Sequence, residues 1–293
     1  MTEPAIDTSP KTWDEMMETA KLIMDGEKSP QLQGFSTAGA PIEGTVCTYL
    51  VPLWGAGGEM TKDGKLNLDT PQARQPFQLY GRMKQAGVLP RNIAEIATDR
   101  IRIDFQAGNV IFAMTWGYVW NRAENDADSK VKGKVGVAKL PHDVGGSSAT
   151  CIGGWQVAVS AFSKNKQEAV KFARYLSSPE VSKMQAIMAS HLPVFTEVYK
   201  DPEVLKANPW FQFAAPIVAT AKARPVTPRY QEVSDAIRSN MNAYLSGTKT
   251  TDVAKQLTYL SGALKAPRIL DVAGRLADQA RDAGCHYFDL TED

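Results

Sequence analysis

Residues 151–180 limit how this chain can fold more narrowly than any other segment. They read CIGGWQVAVSAFSKNKQEAVKFARYLSSPE, with a glycine pair and a tryptophan ahead of alternating valines. Val157 and Val159 alternate with small or polar residues, as in a half-buried strand. The apolar residues that follow have helical spacing: Ala169, Phe172, Ala173 and Leu176. The segment predicts a flexible hinge, a strand and a packed helix, which indicates an α/β fold.

Capping signals predict where several helices begin. Asn165 has a glutamate three residues later, which is the spacing of a capping box. Ser178, Thr70 and Asp201 each precede a proline, and such pairs supply the cap and first residue of a helix. Apolar periodicity predicts further helices, over residues 8–26, 42–54, 94–107, 211–223, 230–244 and 251–264. Short apolar runs predict strands at 34–35, 109–114 and 135–140.

The charge balance argues against some classes of partner. The 293 residues contain 33 lysines and arginines against 32 aspartates and glutamates, so no strong net field exists. Nucleic acid and anionic membrane surfaces are therefore disfavoured as main partners. No apolar run approaches the roughly 18 residues of a membrane span. Any contact with a membrane is expected to be indirect.

The cysteines and histidines predict neither a metal centre nor a redox motif. Cys47, Cys151 and Cys285 lie far apart and match no ligand or redox spacing. The three histidines also form no ligand pattern. We therefore expect isolated thiols, and neither a cofactor nor a bound metal.

Three sequence blocks resemble the family 1 extracellular solute-binding proteins, the sugar-capturing components of bacterial ABC importers. The blocks are GGWQVAVSAFSKNKQEAVKFARYLSSPE, FQAGNVIFAMTWGYVWNRAE and RPVTPRYQEVSDAIRSNMNAYLSG. The resemblance runs from about residue 8 to residue 265, and the chain looks most like the trehalose, maltose and α-glucoside binders. It implies a type II periplasmic-binding fold, in which a hinge joins two lobes and the sugar lies between them.

The resemblance also implies a domain division. Residues 8–152 and 223–266 correspond to the second lobe, which we expect to be complete. Residues 153–222 correspond to a remnant of the first lobe with the hinge crossover, and residues 267–293 form a tail that the family does not explain. The N-terminus, MTEPAIDTSPKTW, has no basic or apolar region of a signal peptide. We therefore expect that the signal and most of the first lobe are missing from this chain.

An aromatic cluster and several polar residues are the predicted ligand contacts. Trp116, Tyr118 and Trp120 surround Gly117 in a loop after a predicted strand, where α/β sheets place ligands. Flat rings complement the apolar face of a sugar, although the alternative is that all three rings are core. The resemblance adds cleft positions to these three, and the full set is Trp120, Trp116, Trp155, Tyr230, Arg229, Tyr118, Gly154, Glu43 and Thr45.

Three functions follow as alternatives. The first is a monomeric sugar-binding protein in the periplasm or at the cell surface, delivering its ligand to ABC permease subunits. The second is a fragment of such a protein without binding activity of its own. The third is a carbohydrate-active enzyme, which needs two facing carboxylates. Glu43, Asp143 and Glu232 give no such pair, and no hydrolase, P-loop or dinucleotide motif is present, so we expect no enzyme.

Overall fold

The computed structural model describes residues 9–62, 65–219 and 221–249, which form helices around a small parallel sheet. The helices in this part of the chain are α1 (Trp13–Glu27), α2 (Glu43–Gly55), α3 (Pro71–Gln85), α4 (Thr98–Gln106), α5 (Tyr118–Asn125), α6 (Lys166–Leu176), α7 (Pro179–Ala189), α8 (Pro202–Ala207), α9 (Phe211–Ala219) and α10 (Tyr230–Leu245). The strands are β1 (Gln33–Ser36), β2 (Thr61–Lys62), β3 (Lys65–Leu66) and β4 (Val110–Ala113). Two 3₁₀ turns span Ile93–Glu95 and Thr196–Lys200.

The pairing of β1 with β4 sets the geometry of the molecule. The two strands are parallel, with Gln33 opposite Val110 and Phe35 opposite Phe112. Parallel neighbours need a long crossover, and α2, α3 and α4 lie in it. The carboxyl ends of both strands therefore open at the same edge of the sheet. The end of β1 leads into α2, and the end of β4 leads to Trp116. Ligands of α/β proteins bind beyond such an edge.

The larger hydrophobic core packs α1, α2, α3 and α10 around β1. Trp13 and Phe35 meet edge to face, with ring centroids 6.0 Å apart. Ile237 and Met241 of α10 are buried in the same core, although the chain leaves this core after Cys151 and returns only near α10. The predicted apolar stripe of α10 is therefore confirmed, and the core is built from two separate stretches of sequence.

A smaller hydrophobic cluster lies among the later helices. Its buried members are Ala186, Val198, Tyr199, Val204, Trp210, Phe211 and Ala214. Trp120 and Val137, from the earlier part of the chain, pack against it from outside. The described residues thus form two apolar centres, and the loop around residues 116–120 touches the second.

Two backbone segments run side by side where the chain leaves and re-enters the larger core. Cys151 forms a parallel bridge with Lys222. The Lys222 N–H donates to the Thr150 carbonyl and the Ile152 N–H donates to the Lys222 carbonyl, both at 2.9 Å. We call residues 150–152 the exit segment and residues 222–224 the return segment.

Most predicted helix starts are confirmed. Thr70, Ser178 and Asp201 cap α3, α7 and α8 as predicted. The helix predicted from residue 8 begins later, at Trp13, after Thr12, which forms a reciprocal capping box with Glu15. Asn165 is the exception, because its side chain makes no capping hydrogen bond. Its ψ of 49° differs from the extended geometry that a cap needs, and its N–H donates to the Ser163 hydroxyl instead.

The helix predicted over residues 94–107 is divided. The Ile96 carbonyl accepts the N–H groups of Gly39 and Ala40 at 2.9 and 3.0 Å, so it is unavailable to a continuous helix. The chain therefore makes a 3₁₀ turn and begins α4 only at Thr98. These two hydrogen bonds connect the turn to the loop that follows β1.

Two predicted strands are absent from the described residues. Val157 is 51% exposed and no described strand lies beside it, so the backbone of 152–160 has no ladder to join. Residues 135–140 are also irregular and follow Gly133, whose φ of +71° suits a turn. The strands at 34–35 and 109–114 are confirmed as β1 and β4. The helix predicted over 251–264 and the tail lie outside the described residues.

Candidate functional site

Glu43, the first residue of α2, is held by three donors from the distant end of the chain. Arg224 of the return segment places Nη1 2.6 Å from Oε1. The Tyr230 hydroxyl donates to the same oxygen, and the Ser234 hydroxyl donates to Oε2. We call these four residues the Glu43 cluster. Because its donors sit on the return segment and on α10, the carboxylate is fixed at the junction of three elements.

Two helix N-termini contribute residues to the Glu43 cluster, since α2 begins at Glu43 and α10 begins at Tyr230. Neither Ile42 before α2 nor Arg229 before α10 makes a side-chain capping bond to its helix. Because Glu43 is the first residue of α2, the positive end of that helix favours its carboxylate. Burial and the hydrogen bond to Glu43 raise the pKa of Tyr230, so its hydroxyl stays protonated and remains a donor. The site thus combines an acceptor with several donors.

Trp116 provides an apolar surface beside this cluster. Its half-buried ring lies against two glycines: a β-carbon on Gly44 of α2 would lie 3.3 Å from Cη2. A β-carbon on Gly153 would lie 3.3 Å from Nε1. The parallel pairing of β1 and β4 explains this arrangement, since Glu43 and Trp116 each follow the carboxyl end of one strand. A polar cluster and a flat ring therefore share one edge of the sheet.

The other rings of the aromatic cluster point elsewhere. Trp120 packs against Trp210 of the smaller hydrophobic cluster, with centroids 6.4 Å apart. Gly117 permits this contact, because a β-carbon there would lie 2.9 Å from the Trp210 ring. Tyr118 lies near Asp99 of α4, and burial is the main cause of its raised pKa. The three partly buried rings therefore have different neighbours in the structure.

The remaining predicted contacts also differ in their surroundings. Trp155 is 96% exposed, and no described atom lies within 4 Å of a β-carbon built on Gly154. Arg229 forms a two-pronged ion pair with Glu232 on the surface of α10. Thr45 does not face the site: it is fully buried, and its hydroxyl donates to the Ala40 carbonyl. Its position two residues after Glu43 turns it into the core.

Arg224 and Ser234 were not among the predicted contacts. Arg224 begins the RPVTPRY block, and Ser234 lies one helical turn after Tyr230, so both had a local signal. Cys47, one turn after Glu43, also lies beside the cluster. Within the described residues, no group of three or more His, Cys, Asp or Glu side chains could hold a metal ion. None of the helices described is long and apolar enough to cross a lipid bilayer.

The chain matches a known family over most of its length. The model of the bacterial extracellular solute-binding protein family covers residues 1–183. A probable ABC transporter-binding protein of Deinococcus radiodurans is 35% identical over 263 residues, which is 87% of this chain and 61% of that protein. The chain therefore spans about three fifths of the length of this curated relative.

Solved structures of similar proteins support the same assignment. One, described as maltose-bound T. maritima MalE3, is 34% identical with a TM-score of 0.80. The match covers 87% of this chain and 67% of the chain of that structure. A solute-binding protein of Thermotoga lettingae, bound with α-D-tagatose, is 27% identical with a TM-score of 0.76. That match covers 86% of this chain and 63% of the other chain. The predicted fold, of the type II periplasmic-binding kind, is confirmed. The chain thus belongs to the bacterial extracellular solute-binding protein family.

Proposed function

We propose that this protein binds a carbohydrate and delivers it to an ABC importer, without catalysing a reaction. The ligand class we propose is a disaccharide such as trehalose, maltose or another α-glucoside. The ligand would lie at the carboxyl edge of the β1–β4 sheet. Trp116 would stack against the apolar face of a sugar ring, and the Glu43 cluster would bind its hydroxyl groups.

The observation that carries this proposal is the junction between Glu43 and Trp116. A sugar presents hydroxyl groups that both donate and accept hydrogen bonds. The Glu43 carboxylate accepts hydrogen bonds, while Arg224, Tyr230 and Ser234 donate them. The cluster is partly exposed, with the Glu43 side chain 39% accessible, so a ligand can reach it.

The relatives favour a sugar over other solutes. The structures compared above, at 34% and 27% identity, are described with bound maltose and bound α-D-tagatose. Maltose in the more similar of the two favours a disaccharide for this chain. The Deinococcus relative is described as an ABC transporter-binding protein, which favours permease subunits as the partner. We place the protein outside the cytoplasmic membrane, as a monomer that does not bind nucleic acid.

We extend the proposal to the lobes and to the remaining predicted contacts. Residues 8–152 and 223–266 form one lobe and residues 153–222 belong to the other, and the two separate apolar centres support this division. Trp155, Gly154 and Arg229 would meet the ligand only when the lobes close, since they lie on or next to the crossover. Closure of this kind follows from a higher affinity of the sugar for the closed state.

The alternative is that the chain by itself binds no sugar. The exposure of Trp155 favours this alternative, because a ring at 96% accessibility makes little contact with the part of the chain that the structure describes. The chain spans 61% of its Deinococcus relative. A ligand held by the Glu43 cluster and Trp116 would then lack contacts that a closed site supplies, and its affinity would be low.

A thermal-shift screen tests the proposal. The melting temperature of the protein is measured with trehalose, maltose, sucrose or glucose. An amino acid serves as the control ligand. A ligand that binds the native state stabilises it by mass action and so raises Tm. At a ligand concentration about one hundred times Kd, the free energy of unfolding increases by about 2.7 kcal/mol. A shift with a disaccharide and none with the amino acid supports the proposal, and no shift with any sugar favours the fragment.

Tryptophan fluorescence then assigns the stacking ring. If Trp116 is the platform, Trp116→Ala abolishes sugar-dependent quenching while Tm changes little. Trp120→Ala instead lowers Tm, because its ring packs against Trp210, and it lowers sugar affinity only if Trp120 also contacts the ligand. Quenching that survives both substitutions would exclude this loop from the site.

A further inference from the structure

Two cysteines that are distant in sequence meet beside the Glu43 cluster. Cys47 lies on α2, one helical turn after Glu43, and Cys151 lies in the exit segment. Their thiols interact directly with each other, and both side chains are only partly buried. The pair is therefore close together and within reach of small reagents, which are two conditions for thiol–disulfide exchange.

The hydrogen bond between the two thiols makes them unequal, while the charges of Arg224 and Glu43 act on both in the same way. The interaction with Cys151 lowers the pKa of Cys47, and the Arg224 guanidinium acts in the same direction against burial and the Glu43 carboxylate. The interaction with Cys47, together with burial, raises the pKa of Cys151. Cys47 is thus the thiol that ionises first, and the thiolate is the form that attacks a disulfide.

We propose that Cys47 and Cys151 form a reversible disulfide, which ties α2 to the exit segment and controls ligand binding at the Glu43 cluster. Formation of the bond is independent of the proposed function, because it requires only the two neighbouring thiols and an oxidant. Its effect on ligand binding rests on the proposed function. Structural disulfides form in oxidising compartments, where we place this protein.

The chemistry requires an oxidant, which we take to be a disulfide of low molecular weight such as oxidised glutathione. The Cys47 thiolate attacks one glutathione sulfur, forms a mixed disulfide and releases one glutathione thiolate. Cys151 then loses its proton to solvent and its sulfur attacks that of Cys47, which releases the second glutathione. Two protein thiols are oxidised to one disulfide, and one glutathione disulfide is reduced to two thiols.

The position of the bond explains its expected effect. The exit segment pairs with the return segment through Cys151 and Lys222, and the return segment carries Arg224 of the Glu43 cluster. Gly153, two residues after Cys151, lies against the Trp116 ring. A covalent bond formed without ligand would hold this junction in its ligand-free arrangement, so the sugar would bind less tightly.

Peptide mapping tests the bond directly. The unaltered chain is treated with oxidised glutathione, the remaining thiols are alkylated, and the digested protein is analysed by mass spectrometry without reduction. We expect a cross-linked peptide that contains Cys47 and Cys151 and disappears on reduction, with Cys285 alkylated or glutathionylated. Cys151→Ser, checked for folding by its melting curve, should keep a stable mixed disulfide at Cys47.

Three outcomes would overturn the disulfide. They are two alkylated thiols at Cys47 and Cys151, glutathione retained on both of them, or a bond from either one to Cys285. A Cys285→Ser variant supports the mapping, since the same cross-link must form without the third thiol. Each outcome is read from the peptide masses and requires no sugar binding.

A second measurement tests control of the site. Maltose affinity is measured by titration calorimetry for the reduced and the oxidised protein, and for Cys285→Ser in both states. We expect oxidation to weaken binding by about fivefold or more, which is the lower end of ordinary coupling between sites. Equal affinities would overturn the control of binding. Absence of binding by the reduced protein would overturn the proposed function, while the peptide map would still decide the disulfide.

Discussion

Arg224 lies 181 residues after Glu43 in the sequence, yet its Nη1 is 2.6 Å from Oε1 of that carboxylate. The contact joins the first residue of α2 to the segment that returns to the larger core. Tyr230 and Ser234 complete the arrangement from the first turns of α10. The most polar part of the candidate site therefore also connects two distant parts of the chain through hydrogen bonds.

Glu43→Gln should weaken sugar binding and should also lower the stability that the Glu43 cluster contributes. The amide removes the charge that Arg224 and the two hydroxyl groups share, and hydrogen bonds to charged groups contribute about 1.5–3 kcal/mol when buried. Since this cluster is partly exposed, we expect about 1 kcal/mol of destabilisation and roughly a tenfold loss of affinity. Calorimetric titration and chemical denaturation measure the two effects.

Asp69→Asn is the matched control for that variant. It breaks the Arg74–Asp69 ion pair, which spans 3.0 Å on the surface of the same part of the chain, away from the Glu43 cluster. Its sugar affinity should equal that of the unaltered protein. An unchanged affinity in Glu43→Gln as well would remove the carboxylate from the site.

Gly153→Ala should disturb the site through Trp116. The new methyl group would lie 3.3 Å from Nε1 of that ring, so the ring or the backbone must shift by a few tenths of an ångström. We expect a several-fold loss of affinity and a change in the tryptophan emission maximum, with little change in Tm. Gly136→Ala is the control, because no described atom lies within 4 Å of its β-carbon. Equal emission spectra for the two variants would contradict the packing described here.

Trp155→Ala separates a ligand contact from a structural role. The ring is 96% exposed, so its removal should leave the Tm unchanged. If the ring closes over the sugar, affinity should fall by about tenfold or more, as for other aromatic contacts. Phe162→Ala removes a ring of 95% exposure on the same segment and should change neither quantity. Equal affinity in both variants would assign Trp155 no contact with the ligand.

Tyr199→Phe tests the smaller hydrophobic cluster. The Tyr199 hydroxyl is buried there with no hydrogen-bond partner among the described residues, and burial raises its pKa to about 12. Removing an unpartnered hydroxyl should leave stability unchanged or raise it by up to about 1 kcal/mol. Tyr49→Phe, which deletes a hydroxyl that donates to the Ala73 carbonyl at 3.1 Å, should cost about 1 kcal/mol. Denaturant unfolding of both variants measures the difference, and a clear loss in Tyr199→Phe would indicate a missing partner.

Local signals in the sequence determined where α1, α3, α7 and α8 begin. A cap acts on N–H groups within three residues of itself, so Thr12, Thr70, Ser178 and Asp201 could be recognised without knowing the fold. The apolar stripe of α10 and the strands β1 and β4 were predictable for the same reason, because periodicity is a local property. The resemblance of longer blocks gave the family and the fold class.

Only the tertiary structure decided which side chains share a surface. Trp116, Tyr118 and Trp120 lie within five residues of sequence, but Trp120 packs against Trp210 and Tyr118 lies near α4. A strand near Val157 depends on a neighbour to pair with, and periodicity carries no information about that neighbour. The contacts of Glu43 with Arg224 and of Cys47 with Cys151 likewise join distant residues. Such pairs arise from the packing of whole elements, which the order of residues along one short segment cannot specify.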